Sequence, residues 1–419
     1  MSTVYTHIPV NSNSPFYGRS TAIDLLKKEK DQENFVIFLE HLWEHNIQIN
    51  LPDISIFIQT IKEARPDWKI FLLMNEVDRY YYDQALACRP DDILCIEYFI
   101  YFTWQHIVVD KVSSIATRVS FDKTPTDKFL FLLGKAAKPN RIRLLKKFVD
   151  AGLVDQCSWS LYYFDDQQLL KQKLKDQLPE LSNAEFDTFI KTYARQLDNV
   201  QMYKDYKEYE FNSVYYDVNL YSRTDFSVVA ETTFSNKPVR NPWVTEKTWK
   251  AILNQHPFIL AADVGGLQYI KSLGFETYNH MLAVPHYDEI CDVDERLAAI
   301  ITNTNHWLTG NYHQLQAEIA HYNLTRLEEL YDENYAKIVN FQSTHNLTDI
   351  PLDKLVPIAD RYFEYSDRKR RDTLFVSFYN NIKDSSWPAV TGENDFAELP
   401  AHIQQECVDV FGYIPSNRK

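Results

Sequence analysis

Glycine is scarce in this chain, with 9 residues in 419. No G-x-G-x-x-G, G-x-x-x-x-G-K-[ST] or G-x-S-x-G occurs. Those absences exclude the simplest dinucleotide-binding, P-loop and α/β-hydrolase readings. Cysteine is sparse too: Cys88, Cys95, Cys157, Cys291 and Cys407 are scattered and never form C-x-x-C. A disulfide framework or zinc site is therefore not expected, and a reducing compartment fits. Long apolar runs are also missing. The longest, Ile93 to Phe102, is interrupted by Glu97 and is too short to span a bilayer. The segment MSTVYTHIPVNSNSPF lacks a basic stretch followed by an apolar core, so a signal peptide is not expected. These points lead to the expectation of a cytoplasmic protein, cellular or viral.

Hydrophobic residues make up 45% and charged residues 24%, an ordinary globular balance. Lys plus Arg total 44 against 58 for Asp plus Glu, a net charge of −14. Such a field repels phosphate backbones and anionic lipid at long range. It disfavours a nucleic-acid partner and leaves room for a local basic pocket.

Short apolar runs alternate with helical patterns. Phe35–Phe38 reads as a strand or a helix start, and Lys69–Met74 and Ile93–Ile96 as buried strands, with a helix near 54–64. Residues 1–20 read as a polar arm. The polar segment 122–128 marks a boundary, after which Lys128–Leu133 opens a second unit leading to a basic helix over 140–151. A charged helical insertion covers 165–205, with Ser182 and Glu185 spaced for a capping box. Strands are expected at Phe226–Ala230 and Pro257–Ala261, helices at 246–254 and 267–273, and a long amphipathic helix at 311–340. Strands interleaved with helices imply parallel sheets covered on both faces. The expected domains are 1–125, 126–350 with the insertion, and an extension, 351–419, packing back on the first.

The most informative stretch is 225–278. A buried strand ends at Glu231-Thr232, a loop with two prolines follows, and Thr245 stands at a helix N-cap with Glu246 and Lys247 in the first turn. Free N–H groups there attract anions, Lys247 adds a positive charge, and Glu246 suits a sugar diol. In open α/β sheets, ligands sit at the carboxyl ends of strands, where this loop lies. The plain alternative is helix capping, since Thr caps and Glu favours the first turn.

The wider string resembles the donor-binding region of the α1,3-fucosyltransferase family and of exostosin-like glycosyltransferases. The matching pieces are Phe226–Thr232, Trp243-Val-Thr-Glu-Lys247, the helix through Leu253, Pro257–Leu260, and upstream Pro139–Arg143. The resemblance covers roughly 128–280. It implies an α/β fold of two Rossmann-like domains facing a cleft, the GT-B arrangement, here with a helical insertion. It also implies a glycosyltransferase that moves a sugar from a nucleotide diphosphate sugar to an acceptor hydroxyl, with inversion and without metal. In the donor site, Glu246 would hold the ribose and Lys247 the diphosphate. Arg141, or Arg143 in the other register, would be the phosphate arginine. Glu231, Thr232, Trp243 and Thr245 would shape the pocket. The family often has Tyr where Trp243 stands and Asn where Thr232 stands, so a fucose donor is not implied. The acceptor would be a glycan or another hydroxyl compound, the hydroxylated base of viral DNA being the less favoured choice. No cofactor is expected, because the nucleotide sugar is itself a substrate, and no divalent metal is needed.

Inverting members take their base from the N-terminal domain. Glu76 is the first candidate and Asp78 the second, both after the Lys69–Met74 strand; Glu97 is the third. Acidic residues after strands also cap helices. Tyr80–Tyr82 offer a sugar-stacking platform, with plain packing the simpler reading. A fold of this type that binds a nucleotide or glycan without turnover is the competing function.

Three other signals point elsewhere. Asp292-Val-Asp294 matches the D-x-D of metal-dependent glycosyltransferases, but it precedes a helix pattern that Asp294 would cap. His41 and His45, with Glu40 and Glu44, have metal-like spacing on an expected helix, without the H-E-x-x-H order. Arg368–Arg371 is the strongest basic cluster, read first as a solvated helix end or loop.

Overall fold

The computed structural model describes residues 3–10, 18–41, 47–75, 92–104, 128–135, 139–162, 168–193, 218–237, 242–278, 286–310 and 313–356. These belong to one compact unit, Met1–Lys207 with Ser213–Val356. A second unit, Glu208–Asn212 with Pro357–Lys419, lies outside the described residues. So do Glu76, Asp78, Tyr80–Tyr82, Glu44, His45 and Arg368–Arg371.

The first half runs β1 (Tyr5–Pro9), α1 (Gly18–Lys28), β2 (Val36–His41), α2 (Ile47–Ala64), β3 (Lys69–Asn75), β4 (Ile93–Ile96) and α3 (Tyr98–Trp104). The second half opens with β5 (Phe129–Lys135), α4 (Pro139–Asp150), β6 (Cys157–Tyr162), α5 (Gln168–Lys175), α6 (Asn183–Tyr193) and α7 (Val218–Ser222). It continues with β7 (Phe226–Ala230), α8 (Glu246–Leu253), β8 (Phe258–Ala261), α9 (Gly266–Ser272), α10 (Val293–Thr309), α11 (His313–Thr344) and α12 (Leu352–Leu355). The strands form two four-stranded sheets, ordered β1-β2-β3-β4 and β6-β5-β7-β8. Every pairing is parallel. This is the α/β class read from the alternation of apolar runs and helical periods.

Strand periodicity divides the first sheet into two apolar faces. Ile37, Leu39, Ile70, Leu72 and Met74 join one core with Ala22 and Leu25 of α1 and Ile54, Phe57 and Ile61 of α2. Phe38 and Phe71 stack with ring centroids 5.8 Å apart, and Phe341 of α11 meets Phe71 edge-on at 5.1 Å. A helix late in the chain thus covers the second face of the first sheet. Full burial of such side chains contributes roughly 1.5–3 kcal/mol each. The first residue of α1 is glycine because α2 approaches so closely there that a β-carbon would lie 2.0 Å from the Asp53 carbonyl oxygen.

In the second sheet Phe131 stacks on Phe148 of α4 at 4.4 Å, and Phe226 packs against Trp307 of α10 at 5.0 Å. The capping box on α6 forms in both directions: Ser182 N–H donates to the Glu185 carboxylate at 2.7 Å and Glu185 N–H to the Ser182 hydroxyl at 3.3 Å.

Two expectations are corrected. The N-terminal arm contains an edge strand, β1, whose backbone pairs with β2 from Tyr5–Val36 to Pro9–Glu40. Glu40 and His41 end strand β2 instead of lying on a helix, and Glu40 pairs with His7 of β1. The intended helical spacing with His45 therefore has no basis at His41. Among the described residues, no helix is long and apolar enough to cross a membrane.

Candidate functional site

Strand β7 is buried along its whole length and delivers Glu231 at its carboxyl end. Glu231 is only 3% exposed, and its carboxylate is held by the chain that enters α8. Thr245 N–H donates to it at 3.0 Å, the Thr245 hydroxyl at 2.6 Å and the Thr248 hydroxyl at 2.7 Å. Thr245 occupies the N-cap with extended backbone, but its hydroxyl caps no N–H of the helix. That hydroxyl instead donates to the charged Glu231 carboxylate and accepts from the Lys247 ammonium.

The first turn of α8 then presents its charges together. The Lys247 ammonium donates to Thr245 Oγ1 at 2.9 Å, Glu246 Oε1 at 2.9 Å and Thr232 Oγ1 at 3.5 Å, and lies 4.0 Å from Glu231 Oε2. Burial alone would push the Glu246 carboxyl upward, but Lys247 and Lys250 outweigh it and hold the group at about 2. Lys250 lies one turn further on and is buried. Desolvation brings its ammonium down to about 8, against the opposing pull of Glu246. Sequence reasoning missed Lys250, although its i,i+4 spacing from Glu246 was available as a signal.

Arg141 enters from α4, which follows β5, the neighbour of β7 in the sheet. It is 6% exposed. Burial lowers its pKa, while the charges of Glu231 and Glu246 draw it back up. Arg143 turns elsewhere: its guanidinium pairs with Asp294 at 2.8 Å at the start of α10. The cap of α10 is Asp292, which accepts the Glu295 N–H at 2.9 Å. The expectation that Asp294 would cap is corrected, since Asp294 stands inside the first turn and faces Arg143. Among the described residues, no group of three or more His, Cys, Asp or Glu is placed to hold a metal ion.

The loop leaving β7 is pinned by residues that carried no sequence signal. Thr233 donates to Asp263 at 2.6 Å, and Arg296 donates to the Ser235 carbonyl at 2.6 Å while lying 4.0 Å over the Phe234 ring. The N-terminus of α9 is already filled by protein: Leu267 and Gln268 N–H groups donate to the buried Asp288 carboxylate at 2.9 and 3.0 Å. Burial raises the Asp288 pKa against those bonds.

The segments following the carboxyl ends of both sheets touch. Trp243, 4% exposed, meets Phe99 of α3 edge-on at 5.2 Å. Glu97, 8% exposed at the end of β4, accepts a hydrogen bond from the Tyr269 hydroxyl of α9 at 2.8 Å. Its backbone N–H donates to Asn334 Oδ1 of α11 at 3.0 Å. Of the three candidate bases, Glu97 is the one within the described residues, and it lies on this seam. The site therefore gathers three basic groups and two carboxylates beside a buried junction, a local cationic excess in an acidic protein.

No family model matches the chain, and no curated protein matches it. Among solved structures it is similar to the alpha,alpha-trehalose 6-phosphate synthase of Burkholderia multivorans, at 10% identity and a TM-score of 0.41, covering 79% of this chain and 77% of that one. It is also similar to a GtfA/B complex chain, at 12% identity and a TM-score of 0.34, covering 75% of this chain and 59% of that one.

Proposed function

We propose that this chain is a glycosyltransferase of the GT-B type, which binds a nucleotide diphosphate sugar at the start of α8 and passes the sugar to an acceptor hydroxyl. The observation that carries this reading is the convergence of Arg141, Lys247 and Lys250 with Glu246 at the carboxyl end of β7. The cations suit a diphosphate. Glu246, held ionised, suits the two hydroxyls of a ribose. The Trp243–Phe99 contact sets this cluster beside the first half of the chain, where an acceptor would approach.

The reaction is read as metal-independent and inverting. A carboxylate of the first half removes the acceptor proton as the acceptor oxygen bonds to the anomeric carbon. The bond from that carbon to the diphosphate oxygen breaks, and the basic cluster receives the charge on the departing nucleoside diphosphate.

The test is a thermal-shift panel of UDP, GDP, ADP and CMP with their sugars, followed by assay of nucleoside diphosphate release. One nucleotide class should raise Tm by mass action. Glu246→Ala and Lys247→Ala should lose both that shift and donor cleavage. Binding without any release would leave a non-catalytic nucleotide-binding protein, and unchanged cleavage in both folded variants would remove the site from α8.

A further inference from the structure

Three polar groups stand in a line across one face of the first sheet. Side chains alternate between faces along a strand, so Phe38 and Glu40 of β2 share a face with Phe71, Leu73 and Asn75 of β3. His7 of β1 joins them: its ring stacks on Phe38 with centroids 4.8 Å apart, and Phe38 stacks on Phe71 at 5.8 Å. The parallel register sets His7 level with Phe38, Glu40 level with Leu73 and Asn75 level with Ile96 of β4. His7, Glu40 and Asn75 therefore advance two residues toward the carboxyl ends with each successive strand. α11 crosses the same face lower down, where Phe341 meets Phe71 and the His345 carbonyl accepts the Lys69 ammonium at 3.2 Å. Asn75 stands four residues beyond Phe71, on the carboxyl-end side of that crossing, where ligands of open α/β sheets bind.

The line is short of partners. Asn75 is 3% exposed, and its Oδ1 has no hydrogen-bond partner among the described residues; neither has the buried Nε2 of His7, whose Nδ1 touches Glu40. Buried polar atoms left unpaired are costly, and such atoms at a sheet's carboxyl end point to a ligand that pairs them. Resting on the glycosyltransferase reading, we propose that His7, Glu40 and Asn75 form the acceptor subsite, and that the acceptor is a neutral glycoside of more than one sugar unit. An amide oxygen, a carboxylate and an imidazole nitrogen match hydroxyls, each of which gives one hydrogen bond and receives others. Charge argues against a phosphorylated acceptor. Among the described strand residues of this face, Glu40 supplies a carboxylate beside the line, and the one ammonium, Lys69, is spent at the amino end. Length argues for more than one unit. Two strand spacings across and four residues along separate His7 from Asn75 by about 16 Å, more than one sugar ring spans. The Asn75 end is the reacting end: its partner Ile96 precedes Glu97, which the Tyr269 hydroxyl of the second half reaches at 2.8 Å.

The experiment uses the full chain as wild type, Asn75→Leu, Glu40→Gln and His7→Ala. Each is measured for Tm and its shift with UDP, GDP and ADP. Saturation-transfer NMR then reads the binding of methyl glucoside, methyl galactoside, methyl mannoside, maltose, lactose and glucose 6-phosphate without any donor. Nucleoside diphosphate release from UDP-glucose, GDP-mannose, GDP-fucose and ADP-glucose gives KM for the same acceptors. Every variant should keep the nucleotide shift. Asn75→Leu should keep or raise Tm, because it removes an unpaired buried polar atom, and should still weaken acceptor binding about tenfold. A residue that served the fold alone would do the reverse. Glu40→Gln should also weaken acceptor binding, and His7→Ala should weaken the disaccharides while sparing the monosaccharides. Wild-type acceptor binding in both Asn75→Leu and Glu40→Gln overturns the proposal. So does tighter binding of glucose 6-phosphate than of the neutral sugars, or no saturation transfer to any neutral sugar in wild type. Equal loss of both sugar lengths in His7→Ala overturns the extended acceptor. A wild type that binds neutral sugars through these residues, with neither nucleotide shift nor release, keeps the line as a sugar site and ends the glycosyltransferase reading.

Discussion

The Glu231 carboxylate receives the Thr245 hydroxyl at 2.6 Å, so the start of α8 is fastened to the end of β7 by a side chain from the strand. With Thr245 N–H and the Thr248 hydroxyl on its other oxygen, Glu231 satisfies three donors in a site closed to water. Its role in the structure is to set the angle at which Glu246 and Lys247 emerge.

Glu231→Ala should be among the most damaging single changes in the second half. It strands three buried donors, each bonded to a charged acceptor, and should cost on the order of 3–5 kcal/mol. Glu231→Gln should cost less, although its amide nitrogen now faces a donor. Urea denaturation measures both. A loss below 1 kcal/mol in Glu231→Ala would mean that the helix start holds without it.

Arg141 and Arg143 should separate cleanly. Arg143 makes a partly exposed ion pair with Asp294, whose side chain is 59% exposed. Such pairs contribute about 0–1 kcal/mol, so Arg143→Ala should leave stability and nucleotide binding nearly intact. Arg141 is buried beside Glu231 and Glu246, and Arg141→Lys should weaken nucleotide affinity by at least tenfold, since an ammonium lacks the guanidinium fork. Isothermal titration with the stabilising nucleotide compares the two. Equal effects would dissolve the assignment of the phosphate arginine to Arg141.

What the sequence disclosed follows from period and punctuation. β4 and β8 are unbroken apolar runs, β3 and β5 are built on such runs, and β7 is interrupted only by the small Ser227, so their burial on two faces was legible. β6 was not, because Ser158 and Ser160 alternate with its apolar residues and read as surface, yet both are buried. β1 was hidden in a polar segment whose strand character comes from pairing with β2. At the site, Thr245, Glu246 and Lys247 were visible as a helix start. The redirection of the Thr245 hydroxyl to Glu231 was not, since it depends on a contact across 14 residues. Tyr269 carried no local signal at all, because its partner Glu97 lies 172 residues away.

The edge-on contact of Trp243 with Phe99 joins the two halves. In a double-mutant cycle of Trp243→Leu and Phe99→Leu, the coupling energy should be about 0.5–1.5 kcal/mol. Trp243→Leu should also reduce donor cleavage more than it reduces nucleotide binding, because it disturbs the approach of the first half and leaves the basic cluster in place. Zero coupling would show that the rings contribute no pairwise energy.

The two coupled groups on α8 both make stability rise with pH, in two separate windows. Glu246 is held at about 2, below its ordinary 4.5, so it contributes stability that is fully present above pH 4.5 and is lost as pH falls toward 2. Glu246→Gln should flatten that part of the acid stability curve. Lys250 is held at about 8, below its ordinary 10.5, so the unfolded chain binds more protons between those values and stability rises with pH across that window. A bound diphosphate reverses the second effect: it favours the charged ammonium, and its binding draws in a proton. Nucleotide affinity should therefore fall as pH rises above 8, by up to about tenfold per unit. Lys250→Met should both weaken binding and remove the decline. Calorimetry at pH 7, 8 and 9 in buffers of differing ionisation enthalpy measures the affinity and the proton uptake together. A wild-type affinity that is level over that range, with no proton taken up, would place Lys250 outside the phosphate site.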